Sequence, residues 1–178
     1  TGMSQTRTAI QQAFLQLARE KPADKITVTD IVGRAGINRN SFYYYFEDLP
    51  GMIEVTVQEL FEQAILQKKP RSFQECVNLL SQVMQENRSV CLHLFRSQSR
   101  IDLQMYYHRV CSYAVTAFLE SVDYFGKFTT LDEKDALAAY YRCLLLGLMN
   151  QWLAGGMKSD VNRELSRMQK AAARLHQS

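Results

Sequence analysis

The chain has 178 residues, 47% of them hydrophobic, and a formal net charge of +3. That length allows one compact domain, or a small domain joined to a larger one, with a real core. So mild a charge excludes a polybasic arm and binding of nucleic acid by bulk charge alone, but leaves a targeted phosphate contact open. Only three prolines and eight glycines are present, with no low-complexity segment and no internal repeat, so a linker-rich or solenoid chain is not expected. Thr1-Gly2 ahead of Met3 is expected to be a cloning leftover and is set aside. No secretory signal is expected.

Taken in order, almost every segment predicts a helix. Ile10, Ala13, Phe14, Leu17 and Ala18 recur at three-and-four spacing, which predicts a first helix from about Gln5 to Glu20. Lys21 to Lys25 breaks it. Thr27-Val28-Thr29-Asp30 then reads as a capping box, with hydroxyl and carboxylate each reaching the other residue's amide. A short second helix to Ala35 is stopped by Gly36, which takes the left-handed conformation cheaply. Asn38 is a good N-cap for a third helix, Arg39 to about Phe46. Two short helices joined by a tight glycine turn make a helix-turn-helix.

Asp48 is expected to cap a fourth helix, with Pro50 harmless in its first turn and Met52, Ile53, Val57, Leu60, Phe61 and Ala64 along it. Ser72 to Glu75 reads as a second capping box, opening a fifth helix with Cys76, Leu79, Leu80 and Val83 inward. A short sixth helix holds Val90, Cys91, Leu94 and Phe95. Ser99 is a candidate cap for a seventh helix through Leu103, Tyr107, Val110, Ala114 and Ala117 to about Phe125, ended by Gly126. Thr130 to Glu133 is a third capping box, opening an eighth helix to about Ala154, where Gly155-Gly156 stops it. Ser159 is expected to cap a last helix to about Leu175. No segment predicts a strand. The expected fold is all-α, with about nine helices.

Cys76, Cys91, Cys111 and Cys143 are widely spaced, and His93, His108 and His176 complete no metal-ligand pattern. Four reduced, mostly buried thiols in a cytoplasmic protein are expected, with no metal and no cofactor. The uncharged run Cys143 to Met157 is 15 residues long, short of the roughly 20 needed to span a bilayer. It predicts a helix buried in protein.

Five consecutive rings, Phe42-Tyr43-Tyr44-Tyr45-Phe46, occupy the third helix. Phe42 and Phe46 lie one turn apart and should close a small core with Ile31 and Ile37. Tyr43 and Tyr44 then point away, with Tyr45 at the flank. Ile26-Thr27-Val28, Asp30-Ile31, Ala35-Gly36-Ile37 and Ser41 to Phe46 match in order and spacing, so residues 8 to 53 resemble the DNA-binding domain of the TetR/AcrR family of transcriptional regulators.

The resemblance implies a DNA-binding helix-turn-helix domain over residues 1–48 and a helical ligand-binding and dimerisation domain over residues 49–178. Arg39, Asn40 and Ser41 stand in the first turn, where a recognition helix touches base edges, and Arg39 suits a bidentate contact to guanine. Thr27, Thr29, Asn38, Tyr43, Tyr44 and Tyr45 complete the candidate set, as backbone or base contacts. In one respect the chain departs from the family. Where relatives commonly carry a phosphate-holding lysine, it has Glu47-Asp48-Leu49-Pro50. Residues 1–50 hold six cations, Arg7, Arg19, Lys21, Lys25, Arg34 and Arg39, against five carboxylates, so DNA affinity is expected to depend only shallowly on salt.

In the larger domain, Phe61, Met84, His93, Tyr107 and Tyr141 are candidate pocket residues for a mostly apolar small ligand. Each is also an ordinary core residue by its spacing. Leu144, Leu145, Leu148, Met149 and Trp152, with Leu165, Met168, Ala172 and Leu175, make a wide apolar surface. Part is expected to be core and part a dimer interface. The leading reading is a homodimeric repressor on a near-palindromic DNA operator, released when a small molecule favours a different domain orientation transmitted through the fourth helix. The alternative is a regulator-like protein-interaction module that has lost or weakened DNA binding, which Glu47 and Asp48 motivate. An enzyme is not expected, because no nucleophile–base pair, phosphate loop or metal cluster is legible.

Overall fold

A computed structural model describes residues 2–96, 100–121 and 130–175. Nine α-helices are found among these residues and no strand. They are α1 (Gly2–Glu20), α2 (Val28–Ala35), α3 (Arg39–Tyr45), α4 (Leu49–Lys68), α5 (Phe73–Glu86), α6 (Arg88–Arg96), α7 (Arg100–Ser121), α8 (Leu131–Ala154) and α9 (Val161–Leu175), with one 3-10 turn at Ala23–Lys25. The expected cap at Ser99 and stop at Gly126 lie outside the described residues. Among the described residues no helix is long and apolar enough to cross a membrane.

The chain divides into two compact units. One lies within Thr1–Leu60 and Asn87–Arg100, the other within Phe61–Glu86 and Ile101–Ser178. The first unit therefore includes α6 as well as the helix-turn-helix, and α4 begins in one unit and ends in the other.

In the first unit α1, α2 and α3 pack on one another, and α6 packs on α1 and on the 3-10 turn. Ile10, Phe14, Ile31, Phe42 and Met52 are fully buried. The turn between α2 and α3 follows from local chemistry. Gly36 has φ +68, and a Cβ there would meet nothing within 4 Å. Glycine is thus required by backbone conformation, not by space. The amides of Gly36 and Ile37 both donate back to the Val32 carbonyl, closing the helix end.

Two long-range polar contacts tie this unit together. Arg7 donates to both oxygens of Glu59 at 3.0 and 2.6 Å, Gln11 Nε2 donates to the same carboxylate at 2.8 Å, and the Arg7 guanidinium lies 5.5 Å from the Phe46 ring centre. The Ala23 amide donates to Ser89 Oγ at 3.2 Å, joining the 3-10 turn to α6. Neither contact shows in the sequence pattern, because its partners lie 52 and 66 residues apart.

In the second unit α5 packs on α8 and α9. Its core takes Cys76, Val77 and Leu80 from α5, Cys111, Ala114, Phe118 and Leu119 from α7, Leu145, Met149 and Trp152 from α8, and Leu165 from α9. Gln74 Nε2 donates to Asn162 Oδ1 at 3.0 Å, bridging α5 and α9. Burial pushes the thiols of Cys76, Cys91 and Cys111 up to about 12, so they stay protonated, while Cys143 is exposed.

Several local expectations are met atom for atom. Thr27 and Asp30 form a complete capping box, as do Thr130 and Glu133. Asn38 Oδ1 accepts from the Ser41 amide at 2.8 Å, and Asp48 Oδ1 from the Gly51 amide at 2.7 Å. Others are corrected. The cap of α9 is Asp160, whose Oδ1 accepts from the amides of Asn162 and Arg163 at 3.0 and 3.1 Å. Ser159 stands one residue outside, its carbonyl accepting from Trp152 Nε1 at 2.8 Å. Ser and Asp are near-equal caps, and here the Trp152 bond engages the residue just outside the cap. At α5 the Ser72 hydroxyl accepts from the Glu75 amide as expected, but the Glu75 carboxylate accepts from the Arg71 amide, one residue beyond a closed box. In α6 Leu92 is buried, while Leu94 and Phe95 are half-exposed, as is Ala117 in α7.

Candidate nucleic-acid interface

The helix-turn-helix places its rings by direction. Phe42 is fully buried and Phe46 nearly so, while Tyr43 and Tyr44 are 49% and 67% exposed and Tyr45 is half-buried. Ile31 joins the core and Ile37 is half-exposed. The rings also brace one another. Phe42 meets Tyr43 edge-on at 5.3 Å, and Tyr44 meets Tyr45 edge-on at 5.0 Å. An exposed tyrosine presents a flat ring and a hydroxyl donor, both suited to sugar–phosphate.

The polar residues at the start of α3 are exposed: Asn38, Arg39 and Asn40, with Ser41 half-buried. Asn38 and Ser41 already serve the helix, since Asn38 Oδ1 accepts from both the amide and the hydroxyl of Ser41. The cap uses only the Asn38 oxygen and leaves its side-chain N–H donors to other partners. Thr27, the N-cap of α2, and Thr29 in its first turn are exposed. The Thr27 hydroxyl is engaged twice, donating to Asp30 Oδ2 at 2.7 Å and accepting from the Asp30 amide at 3.2 Å.

Half of the cations of residues 1–50 are paired with carboxylates. Lys21 pairs with Asp30 at 2.9 Å, Arg34 with Glu20 at 2.7 Å and Arg7 with Glu59. Arg19, Lys25 and Arg39 have no carboxylate partner among the described residues. Glu47 and Asp48 are exposed directly after α3, Asp48 held by its cap. Lys21 escaped sequence reading as a structural residue, because a lysine in a helix break carries no pattern that assigns it a carboxylate.

The Asp30 carboxyl is drawn from 3.8 to about 2, first by Lys21 and then by the hydroxyl and amide of Thr27. A depressed folded-state value means the contact stabilises fully above pH ~3.8 and loses that contribution as pH falls toward ~2. Asp30→Asn is therefore expected to flatten the acid limb of stability between pH about 4 and 2, read as urea midpoints by circular dichroism at each pH. An unchanged limb would assign acid sensitivity to other carboxylates, such as Glu59, which Arg7 holds below its ordinary value.

The candidate pocket residues are spread over both units. Phe61 and Met84 are buried, and Tyr107 and Tyr141 are half-buried, all in the second unit, while half-buried His93 lies on α6 in the first. Tyr141 sits in an aromatic cluster, 5.1 Å from Phe73 and 5.2 Å from Phe118. Phe118 was not singled out by sequence, since one phenylalanine at helical spacing reads only as core. Of the candidate dimer residues, Leu145, Leu148, Met149, Trp152 and Leu165 are buried within the second unit itself. Met168 and Ala172 on α9 are exposed, as are Tyr140 and Leu175.

Residues 10–48 match the family described as bacterial regulatory proteins, tetR family, and residues 71–173 match a transcriptional regulator C-terminal region of the same group. A solved structure titled "Dihydroxyacetone kinase operon activator DhaS" shares the fold, with a TM-score of 0.70 over 93% of each chain at 18% sequence identity. No curated protein matches the sequence.

Proposed function

The chain belongs to the TetR family of bacterial regulatory proteins, and from that premise we propose a homodimeric, ligand-responsive repressor that binds a near-palindromic operator and is released by a small molecule. Residues 1–48 read DNA in this proposal, and residues 49–178 bind the ligand and pair the protomers, in the cytoplasm. The observation that carries it is the division of α3, with Phe42 buried below and Arg39, Asn40, Tyr43 and Tyr44 presented above. A two-fold dimer would set two such helices into successive major grooves. The exposed Met168, Ala172 and Leu175 of α9 and Tyr140 of α8 support a pairing surface.

Two elements support a route for release. α4 continues from the first unit into the second, and α6 holds the 3-10 turn beside the helix-turn-helix through Ser89. A ligand that moved either would act on the reading head by differential binding of two states.

Selection from a random duplex pool at low salt tests the reading. The expected result is an enriched inverted repeat that represses a downstream reporter, and no enriched repeat would sink it. Salt dependence is a second check. If phosphates are held only by Arg19, Lys25 and Arg39, the three cations of residues 1–50 with no carboxylate partner among the described residues, six in a dimer, the log–log slope of affinity against salt should be no steeper than about −5. Titration between 50 and 200 mM salt reads it, and a slope near −10 would mean that phosphates are held by cations outside this set. Exposed Glu47, which has no cationic partner among the described residues, favours a second reading as a protein-interaction module. In that case no duplex would be enriched, while a partner protein would bind the same face.

A further inference from the structure

Arg39 does not stand alone on the reading face. Its guanidinium carbon lies 6.0 Å from the centre of the Tyr43 ring, and Nη2 donates to Tyr43 Oη over 3.4 Å. The two residues are one helical turn apart on the same side of α3. The Tyr43 ring is in turn braced edge-on, at 5.3 Å and 84°, against Phe42, which has no exposed surface. A chain of contacts therefore runs from the core through Tyr43 to the guanidinium. No carboxylate competes for Arg39 among the described residues.

The chemistry of an arginine held beside a tyrosine is specific. The guanidinium lies over the ring and gives one N–H to the hydroxyl, which leaves its other N–H donors available as a fork. In the major groove only guanine offers two adjacent acceptors, O6 and N7, to such a fork. A free arginine on a solvated helix must give up rotamer freedom to present that fork, and one held on a ring has given up most of it beforehand. Arg39 is the first residue of α3, the end at which a recognition helix meets base edges.

We infer that Arg39 reads a guanine in each half-site and that Tyr43 is its positioning residue, a specificity role distinct from holding phosphate. The inference rests on the DNA-binding reading above. The two roles for Tyr43 make different predictions. A phosphate-holding tyrosine adds affinity to every sequence equally, whereas a positioning tyrosine adds it only where the guanine is present.

The test uses the full chain, the duplex recovered by selection and its single-base variants, titrated by fluorescence anisotropy. For the unaltered protein, replacing one base pair per half-site should cost about tenfold or more, the size of a bidentate arginine–guanine contact. That pair should be a G·C pair. Tyr43→Ala should shrink the discrimination at that pair to about threefold or less while leaving discrimination at other positions intact. Tyr43→Phe, which keeps the ring, should retain it. Arg39→Ala, which removes the donors altogether, should lose the preference, and melting curves confirm that these exposed changes leave the fold intact. If Tyr43→Ala weakens binding to all variants by one common factor, Tyr43 holds phosphate and the inference is overturned. If Arg39→Ala keeps the preference, Arg39 is not the reader. If no duplex is selected at all, the DNA-binding reading fails and this one with it.

Discussion

Phe42→Ala is expected to remove about 3–5 kcal/mol from the stability of the first unit, the usual loss for a fully buried phenylalanine, and to abolish operator binding with it. Helix α3 has seven residues, too few to be stable alone. Its hold on the unit passes through Phe42, which is 0% exposed and touches the rings of both Tyr43 and Phe46. Without that ring the Tyr43 brace, and with it Arg39, loses its seat. Phe42→Leu fills most of the volume and should cost about 1.5 kcal/mol or less, with DNA affinity following the folded fraction. Urea unfolding followed by circular dichroism measures the first effect and anisotropy the second. A loss below about 1 kcal/mol for the alanine variant would show that α3 is anchored elsewhere.

Trp152→Ala should cost the second unit a similar amount, about 3–5 kcal/mol. The indole is 4% exposed, and its Nε1 donates to the Ser159 carbonyl at 2.8 Å, holding the turn that starts α9. Trp152→Phe separates the two contributions. It keeps most of the ring and removes one hydrogen bond to the carbonyl of exposed Ser159, for an expected cost of about 0.5–1.5 kcal/mol beyond the change in ring size. Trp152 is the chain's single tryptophan, so in the unaltered protein its fluorescence reports unfolding of the second unit. If Trp152→Ala unfolds at the same urea concentration as the unaltered chain, the indole does not anchor α9.

The helix caps and the glycine turn were legible because they depend on residues within four positions. Thr27 with Asp30, Asn38 with Ser41, Thr130 with Glu133 and the left-handed Gly36 all follow from local backbone chemistry. The inward set of α3 was legible for the same reason, since its rings could be divided by the helical repeat. Ambiguity entered where two neighbours offered the same chemistry. Ser159 and Asp160 are both good caps, and in the fold Asp160 takes that place while the Ser159 carbonyl accepts from Trp152. The pairing of Arg7 with Glu59, and the placement of α6 beside the 3-10 turn, depend on residues 52 and 66 positions apart. No period in the chain announces them.

Helix α8 marks the boundary between the two kinds of information. Its long apolar run has no polar face to contrast with, so the sequence determined that the helix would form and left open which sides would be buried. The tertiary structure chose Leu145, Leu148, Met149 and Trp152 for the core of the second unit and turned Tyr140, Cys143 and Gly147 outward. Local propensity and capping are properties of a few adjacent residues, whereas burial is settled only when other helices arrive to share it.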